Sequence, residues 1–380
     1  MSKLKKISPK TNTLYRGDNL EILKAMPENT FDVCYIDPPF FTQKNYKNIW
    51  GDKESVLDWE SSRLDGFFDT RDFFEQHIKS GEKGLRAYLE WMRLRLAEIH
   101  RVLKPGGYFF CHLDYHAVHY IKIVLDDIYG YNNFVNQIIW KRVTNNKAQT
   151  EGSFAKMHDT ILCFQKTPVN SKNFNKLYLK GDANKDAKNY PYTEEKTGRQ
   201  YGSFDFTQKG QGPARKFNGK LLTPPSGKHW IWGQDEIDKG LRDGTIIFTK
   251  NGTPRVKRYL DEKKGNLIGD IWNDDLVQPI QANSKEKTGW PTQKPVALLQ
   301  RIISACSNEN GLILDCFAGC GTTMHAAHLL KRKWVGIDIS PTAMKVNKKR
   351  LEEINAKVTI IDEKDLDLEI DKIRNSKKAA

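Results

Sequence analysis

Six cysteines are scattered through the 380 residues, and no two stand as C-x-x-C. That pattern suggests neither a zinc knuckle nor a disulfide framework, and it suits a reducing compartment. No run of about 18 apolar residues occurs, so no membrane-spanning helix is expected. The start, Met1-Ser2-Lys3-Leu4-Lys5-Lys6, has no apolar stretch behind it, so no signal peptide is expected and a cytoplasmic location is. No internal repeat is found. Basic residues outnumber acidic ones: Lys+Arg total 61 against 47 Asp+Glu, a net charge of +14. Such an excess favours a polyanionic partner, although a merely basic surface would give the same count.

The length suits one large domain carrying an insert, or two domains. Strand and helix patterns alternate over the first 167 residues, the signature of an open α/β sheet. Leu14–Arg16 reads as a strand, with Asp18 or Asn19 capping a helix over Leu20–Ala25. Val33-Cys34-Tyr35-Ile36 is an apolar run fit for a buried parallel strand. Residues 41–83 read as a long polar and aromatic loop. Leu85, Leu89, Met92, Leu96, Ile99 and Leu103 keep helical spacing until Lys104-Pro105-Gly106-Gly107, after which Tyr108–His112 reads as a strand. A helix from Ala117 to Gly130 and strands over Phe134–Trp140 and Thr160–Phe164 follow. From 168 to 285 helical periodicity fades, with strands expected at Trp230–Trp232 and Thr245–Thr249. In this insert basic and aromatic residues interleave. Arg215, Lys216, Lys228, Arg255, Lys257 and Arg258 are the candidates for holding phosphates, with neighbouring rings to stack on bases. A solvated basic insert is the competing reading. Over 286–362 the α/β order returns, and 363–380 reads as a charged, solvated tail.

Two stretches carry chemistry. Asp37-Pro38-Pro39-Phe40 ends the second strand. Neither proline has an N–H, so a carboxylate, an acceptor carbonyl and an aromatic face stand together at a strand tip. That set suits a planar group bearing NH₂. A plain turn, with Asp37 as a cap and Phe40 in the core, reads the same residues. The second stretch is Leu312–Asp315 followed by Cys316-Phe317-Ala318-Gly319-Cys320-Gly321-Thr322-Thr323 and a helix. A phosphate loop would need lysine where Thr322 stands, and a dinucleotide fingerprint would need glycine where Met324 stands. Asp338 ends the next strand about 20 residues on, where an acid takes ribose hydroxyls. The site suits an adenosine without a pyrophosphate, as in S-adenosylmethionine. His112, Asp114, His116 and His119 lie close enough to suggest a metal, but a rim loop explains them more simply, and no metal is expected.

Leu314–Thr323 is similar to the cofactor loop of the amino-group DNA methyltransferases. Asp37–Phe40 resembles their catalytic tetrapeptide, and Thr288–Pro295 their threonine-glutamine-lysine-proline stretch. Tetrapeptide first and glycine loop last resembles the beta group, of restriction-modification type. The likeness covers 13–167 and 286–350. Phe40 stands where tyrosine is commoner, Trp290 where histidine or tyrosine is usual, and Cys316 where proline is common.

The resemblance implies a Rossmann-like, circularly permuted methyltransferase sheet. Residues 1–167 would form its catalytic half, 286–362 its cofactor half, and 168–285 an inserted target-recognition region. It implies S-adenosylmethionine as cofactor, contacted by Asp18 at the adenine, Asp338 at the ribose, and Lys294 with Thr292 at the carboxylate. Asp315 and the loop from Phe317 through Gly319 and Gly321 to Thr322 would line it. It further implies N6 methylation of adenine flipped from duplex DNA, with Asp37 and Pro38 accepting from the amine and Phe40 stacking on the base. A homodimer and a restriction endonuclease partner are suggested by resemblance alone, as is a prokaryotic, nucleoid-associated setting. N4-cytosine methylation and a non-catalytic DNA-binding module are the alternatives. The family's cytosine enzymes tend to carry serine in place of Asp37.

Overall fold

The computed structural model describes residues 8–41, 44–45, 68–69, 71–78, 80–143, 152–167, 174–181, 183–290 and 292–365. The chain divides into two compact units, one of residues 1–177 with 269–380 and one of 178–268.

The larger unit is a mixed α/β fold built on a nine-stranded sheet. Its order is Ile271–Trp272, Phe134–Lys141, His158–Gln165, Leu103–Leu113, Phe31–Ile36, Leu312–Asp315, Lys333–Asp338, Thr13–Arg16, Thr359–Asp362. His158–Gln165 runs antiparallel to both neighbours, and every other pairing is parallel. Phe31–Ile36 is the middle strand, buried from Val33 to Ile36, as a strand covered on both faces must be. It pairs directly with Leu312–Asp315, Ile313 opposite Val33 and Leu314 opposite Cys34. The two ends of the sequence thus complete one sheet.

Strand alternation sorts the core into two layers. Tyr15, Cys34, Ile36, Leu314, Val335 and Ile337 share one cluster with Leu23, Tyr88, Met92, Leu96, Ile99 and Ile121. Those last six come from helices Asn19–Ala25, Leu85–Val102 and Val118–Tyr129. The alternate residues Leu14, Val33, Ile313 and Trp334 are buried on the opposite face. There helices Val296–Cys306 and Thr322–Leu329 pack together and against the strands. Helix Pro341–Glu352 packs beside the second of these.

Several expectations are corrected. The segment 41–83 is not all loop: Lys44–Asn45 pairs with Phe68–Asp69, and Arg71–Gln76 is helical. Residues 46–67 lie outside the described residues. The strand expected from Tyr108 begins at Leu103, and Lys104–Gly107 runs through an irregularity where Phe31 pairs Leu103 and Val33 pairs Tyr108. Gly107 lies so close to Asp32 that a Cβ there would sit 3.0 Å from the Asp32 carbonyl oxygen. The charged tail starts as structure, since the Glu363 carboxylate accepts from the Asp18 N–H at 2.9 Å. Residues 366–380 lie outside the described residues.

The smaller unit spans Tyr178–Ile268, narrower than the expected 168–285. The flanks belong to the larger unit because Trp272 pairs with Trp140 on the sheet edge and Arg301 grips Asp274 through two bonds of 2.6 and 2.7 Å. Asn175 is likewise bonded to the Ala305 carbonyl at 2.7 Å. The smaller unit holds a four-stranded antiparallel sheet in the order Ile246–Phe248, Pro254–Tyr259, Gln200–Asp205, Tyr192–Thr193. The strand expected at Trp230–Trp232 falls at Lys228–Trp230. Helices Ala183–Asn189 and Gln234–Arg242 are present where none was expected. Phe206, Phe217, Trp230, Ile237, Ile246 and Val256 make its core. Its first and last strands, Tyr178–Leu179 and Asn266–Leu267, pair with each other.

Candidate active site

The middle strand delivers Asp37 at its carboxyl end. Asp37 Oδ2 accepts from Lys294 Nζ at 2.5 Å. Asp37 Oδ1 is buried and has no hydrogen-bond partner among the described residues. A buried carboxylate oxygen left without a donor is costly, and because Asp37 lines a cavity the open acceptor points to a ligand donor. The next residues are held from behind. Tyr88, buried on the Leu85–Val102 helix, donates to the Pro39 carbonyl at 2.8 Å. The Phe40 ring lies nearly parallel to that of His112, 6.2 Å between centroids and 10° between planes.

His112 is wholly buried, with Nδ1 2.9 Å from Tyr35 Oη and Nε2 3.2 Å from Asp159 Oδ2. Arg142 Nε lies 2.9 Å from Asp159 Oδ1 as an ion pair without hydrogen-bond alignment. Burial, helped by the Lys294 charge, holds the His112 imidazole below its ordinary pKa, so it stacks under Phe40 as a neutral ring. The strand ends at Leu113, so Asp114 and His116 sit in the following turn, bonded to each other at 2.7 Å. Among the described residues no group of His, Cys, Asp or Glu could hold a metal ion.

The glycine loop follows the neighbouring strand. Asp315 spends both oxygens on that loop, accepting from the Phe317 N–H at 3.0 Å and from Thr323 Oγ1 at 2.5 Å. Gly319 and Gly321 have φ of +50° and +82°, a backbone that L side chains rarely adopt. Asp338 accepts from the Gly319 and Ser340 N–H groups at 2.8 and 2.9 Å. Burial pushes Asp315 up to about 7 and Asp338 up to about 6. Thr322 Oγ1 donates to the Lys294 carbonyl at 3.2 Å and accepts from Arg350 at 2.9 Å.

Asp18 caps the Asn19–Ala25 helix, its Oδ1 accepting from the Leu20 N–H at 2.9 Å and from Arg95 at 2.8 Å. Arg95 also donates to Asn19 Oδ1 at 2.7 Å, and Asn19 Nδ2 donates to the Cys316 carbonyl at 2.7 Å. The Arg95 guanidinium lies 3.7 Å from the Trp91 ring centroid.

One cavity in the larger unit gathers these groups. Asp37, Pro38, Pro39 and Phe40 line it with Asp18, Thr292, Lys294, Asp315, Phe317, Gly319, Thr322 and Asp338. Gly321, the loop's second glycine, caps the helix beneath. The six basic residues nominated for DNA all fall in the smaller unit, and several are engaged there. Lys257 pairs with Glu194 at 2.8 Å, Lys228 with Asp205 at 3.3 Å, and Arg255 donates to the Ser203 carbonyl at 2.9 Å. Arg258 lies 5.3 Å from the Phe204 ring centroid. Arg215 and Lys216 are on a hairpin with Lys220–Leu222, where Lys216 is exposed.

Sequence reasoning offered Asn19 only as a possible helix cap and passed over Tyr88 and Arg95, and over Asn347 and Arg350, which clamp the glycine loop. Asn347 donates to the Gly319 carbonyl at 2.6 Å, and Arg350 to the Cys320 carbonyl at 3.2 Å. One signal was available: polar residues at inward positions of amphipathic helices need buried partners.

The cavity carries four carboxylates against the cations Arg95 and Lys294, each already paired with one of them. With both cations already paired, the site suits a cationic ligand such as a sulfonium better than a polyphosphate, and glycine backbone allows its close approach.

A family model described as DNA methylase matches residues 31–349. The type II methyltransferase M.EcaI of Enterobacter cloacae is 36% identical over 270 residues, 70% of this chain and 57% of that protein. The Mod subunit of the type III restriction-modification enzyme StyLTI of Salmonella typhimurium is 26% identical over 341 residues, 85% of this chain and 50% of that protein. The DNA adenine methyltransferase YhdJ of Escherichia coli K12 is 24% identical over 346 residues, 90% of this chain and 82% of that protein. The chain thus spans only 50–57% of the first two relatives.

Proposed function

We propose that this chain, which belongs to the DNA methylase family, transfers a methyl group from S-adenosylmethionine to the N6 amino group of adenine in double-stranded DNA. The observation that carries the reading is Asp37 Oδ1, a buried acceptor with no partner among the described residues, on a residue that lines the same cavity as the glycine loop. When bound, S-adenosylmethionine supplies an electrophilic methyl group. The chain supplies position. The N6 lone pair is delocalised into the adenine ring, and a hydrogen bond to Asp37 Oδ1 favours a more tetrahedral nitrogen. With the Pro38 carbonyl as second acceptor, the amine is aimed at the methyl carbon, and holding the two reactants in line does most of the catalysis. Phe40, backed by the neutral His112 ring, replaces stacking that the flipped base leaves behind. Trp91, Phe317 and Trp290 give the cavity apolar walls that exclude water from the transfer. In this reading Asp338 takes ribose hydroxyls and Lys294 a carboxylate of the methyl donor.

Adenine is preferred to cytosine because an aspartate opens the tetrapeptide, and the name of the YhdJ relative agrees with it. A restriction endonuclease partner fits the names of the other two relatives. Base-resolved sequencing of genomic DNA from a host expressing the chain tests the proposal. N6-methyladenine at a recurring site is expected, absent when Asp37→Ala is expressed instead, while the purified variant still binds S-adenosylhomocysteine. Full methylation by Asp37→Ala, or methylated cytosine at the site, would overturn it.

A further inference from the structure

Lys294 reaches the cavity from the segment preceding the Val296–Cys306 helix, 257 residues from Asp37 in sequence. Its side chain is 10% exposed and that of Asp37 19%, so the pair is largely desolvated. An ammonium has three N–H donors. One goes to Asp37 Oδ2 and a longer contact of 3.4 Å goes to the Thr292 carbonyl. Nζ also lies 5.6 Å from the centroid of the Phe40 ring. The lysine's own backbone is fixed to the donor side of the site. Its carbonyl accepts from Thr322 Oγ1, which Arg350 holds in turn. The ammonium therefore joins the glycine loop to the acceptor carboxylate. A free aspartate could turn about its terminal torsion and offer either oxygen. With Oδ2 tied to a buried cation, only Oδ1 stays available, in one direction.

We propose that Lys294 is a positioning residue for Asp37, holding Oδ2 so that Oδ1 alone is presented to the substrate amine, in addition to any hold on the carboxylate of the methyl donor. The inference rests on the methyltransferase reading of the site and assigns a residue within it. If Lys294 served the donor carboxylate alone, its loss would weaken donor binding and be overcome by saturation. A positioning residue acts on the rate at saturation instead.

The test uses the full chain carrying Lys294→Met or Lys294→Arg. Methyl transfer to unmethylated genomic DNA is timed at saturating S-adenosylmethionine, and binding of S-adenosylhomocysteine is measured by calorimetry. Lys294→Met is expected to lower kcat about a hundredfold, as small misplacements of reacting groups do, with affinity for S-adenosylhomocysteine changed less than about tenfold. Lys294→Arg, which keeps the cation, should recover part of kcat. A second readout needs no activity: denaturant unfolding of the ligand-free chain with Lys294→Met, Asp37→Asn and both. The double variant should lose less stability than the sum of the single losses, because the two side chains are coupled. A kcat restored by saturation, or strictly additive stability losses, would overturn the assignment. An unmodified chain that transfers no methyl group would overturn the reading of the site, and this role with it.

Discussion

Asp315 and Asp338 stand at adjacent strand ends, and burial raises both carboxyls, to about 7 and about 6. Unfolded, each titrates near 3.9, to order of magnitude. Between about pH 4 and about pH 7 the folded chain therefore retains protons that the unfolded chain releases. The stability this contributes is full below the unfolded value and is lost as pH rises through the folded one. Replacing Asp315 by Asn removes one such site. The stability of the native chain relative to Asp315→Asn should fall as pH rises from about 5 to about 8, by at most about 1.4 kcal/mol per unit. Urea midpoints across that range measure it, and a difference that does not vary with pH would mean that Asp315 stays ionised throughout. The positions of Asp37, Asp315 and Asp338 at strand ends were legible in the sequence, since apolar runs stop at each. What Asp315 does there was not. It reads as a ligand contact and it lines the cavity, but both of its oxygens, like both of Asp338, also hold the loop backbone and side chains, because hydrogen-bond satisfaction depends on where the chain turns next. The Asp37–Lys294 contact was equally hidden, for nothing local links two residues so far apart.

The glycine loop depends on an element that carries no recognisable motif. Helix Pro341–Glu352 sends Asn347 and Arg350 to the loop carbonyls, and a Cβ on Gly321 would stand 2.2 Å from Asn347 Oδ1. Gly321→Ala thus meets both a collision and a left-handed backbone worth about 1–2 kcal/mol. S-adenosylhomocysteine should bind this variant about tenfold more weakly or worse, and titration calorimetry decides it; unchanged affinity would mean that the loop is not what holds the ligand. Helices with a long apolar stripe, such as Leu85–Val102, were legible from periodicity alone. Arg71–Gln76 and Ala183–Asn189 were not, being two turns or less with little apolar patterning. The strand from Leu103 is legible only from Tyr108, because Pro105, Gly106 and Gly107 look like a breaker. Tertiary pairing with Phe31 carries the backbone through them.

The smaller unit enters and leaves through strands that pair with each other, Leu179 opposite Asn266 and Tyr178 opposite Leu267. Paired strands lie about 5 Å apart, so a few glycine and serine residues can join Leu177 to Gly269. That shortened chain should keep its near-ultraviolet dichroism and its affinity for S-adenosylhomocysteine, while losing retention on DNA in a mobility-shift assay. Collapse of the larger unit would show that it needs the insert to fold. Among the described residues no helix is long and apolar enough to cross a membrane. The sheet order has one more consequence, for synthesis. The middle strand waits for Leu312–Asp315, and Thr13–Arg16 lies between Lys333–Asp338 and Thr359–Asp362, both made about 320 residues or more after it. Pairings so distant in sequence form slowly. A growing chain therefore carries its tetrapeptide on an unfinished sheet edge until Leu312–Asp315 is made. The cavity is complete only after Asp338 has been made, so products terminated before that residue should be inert and aggregation-prone.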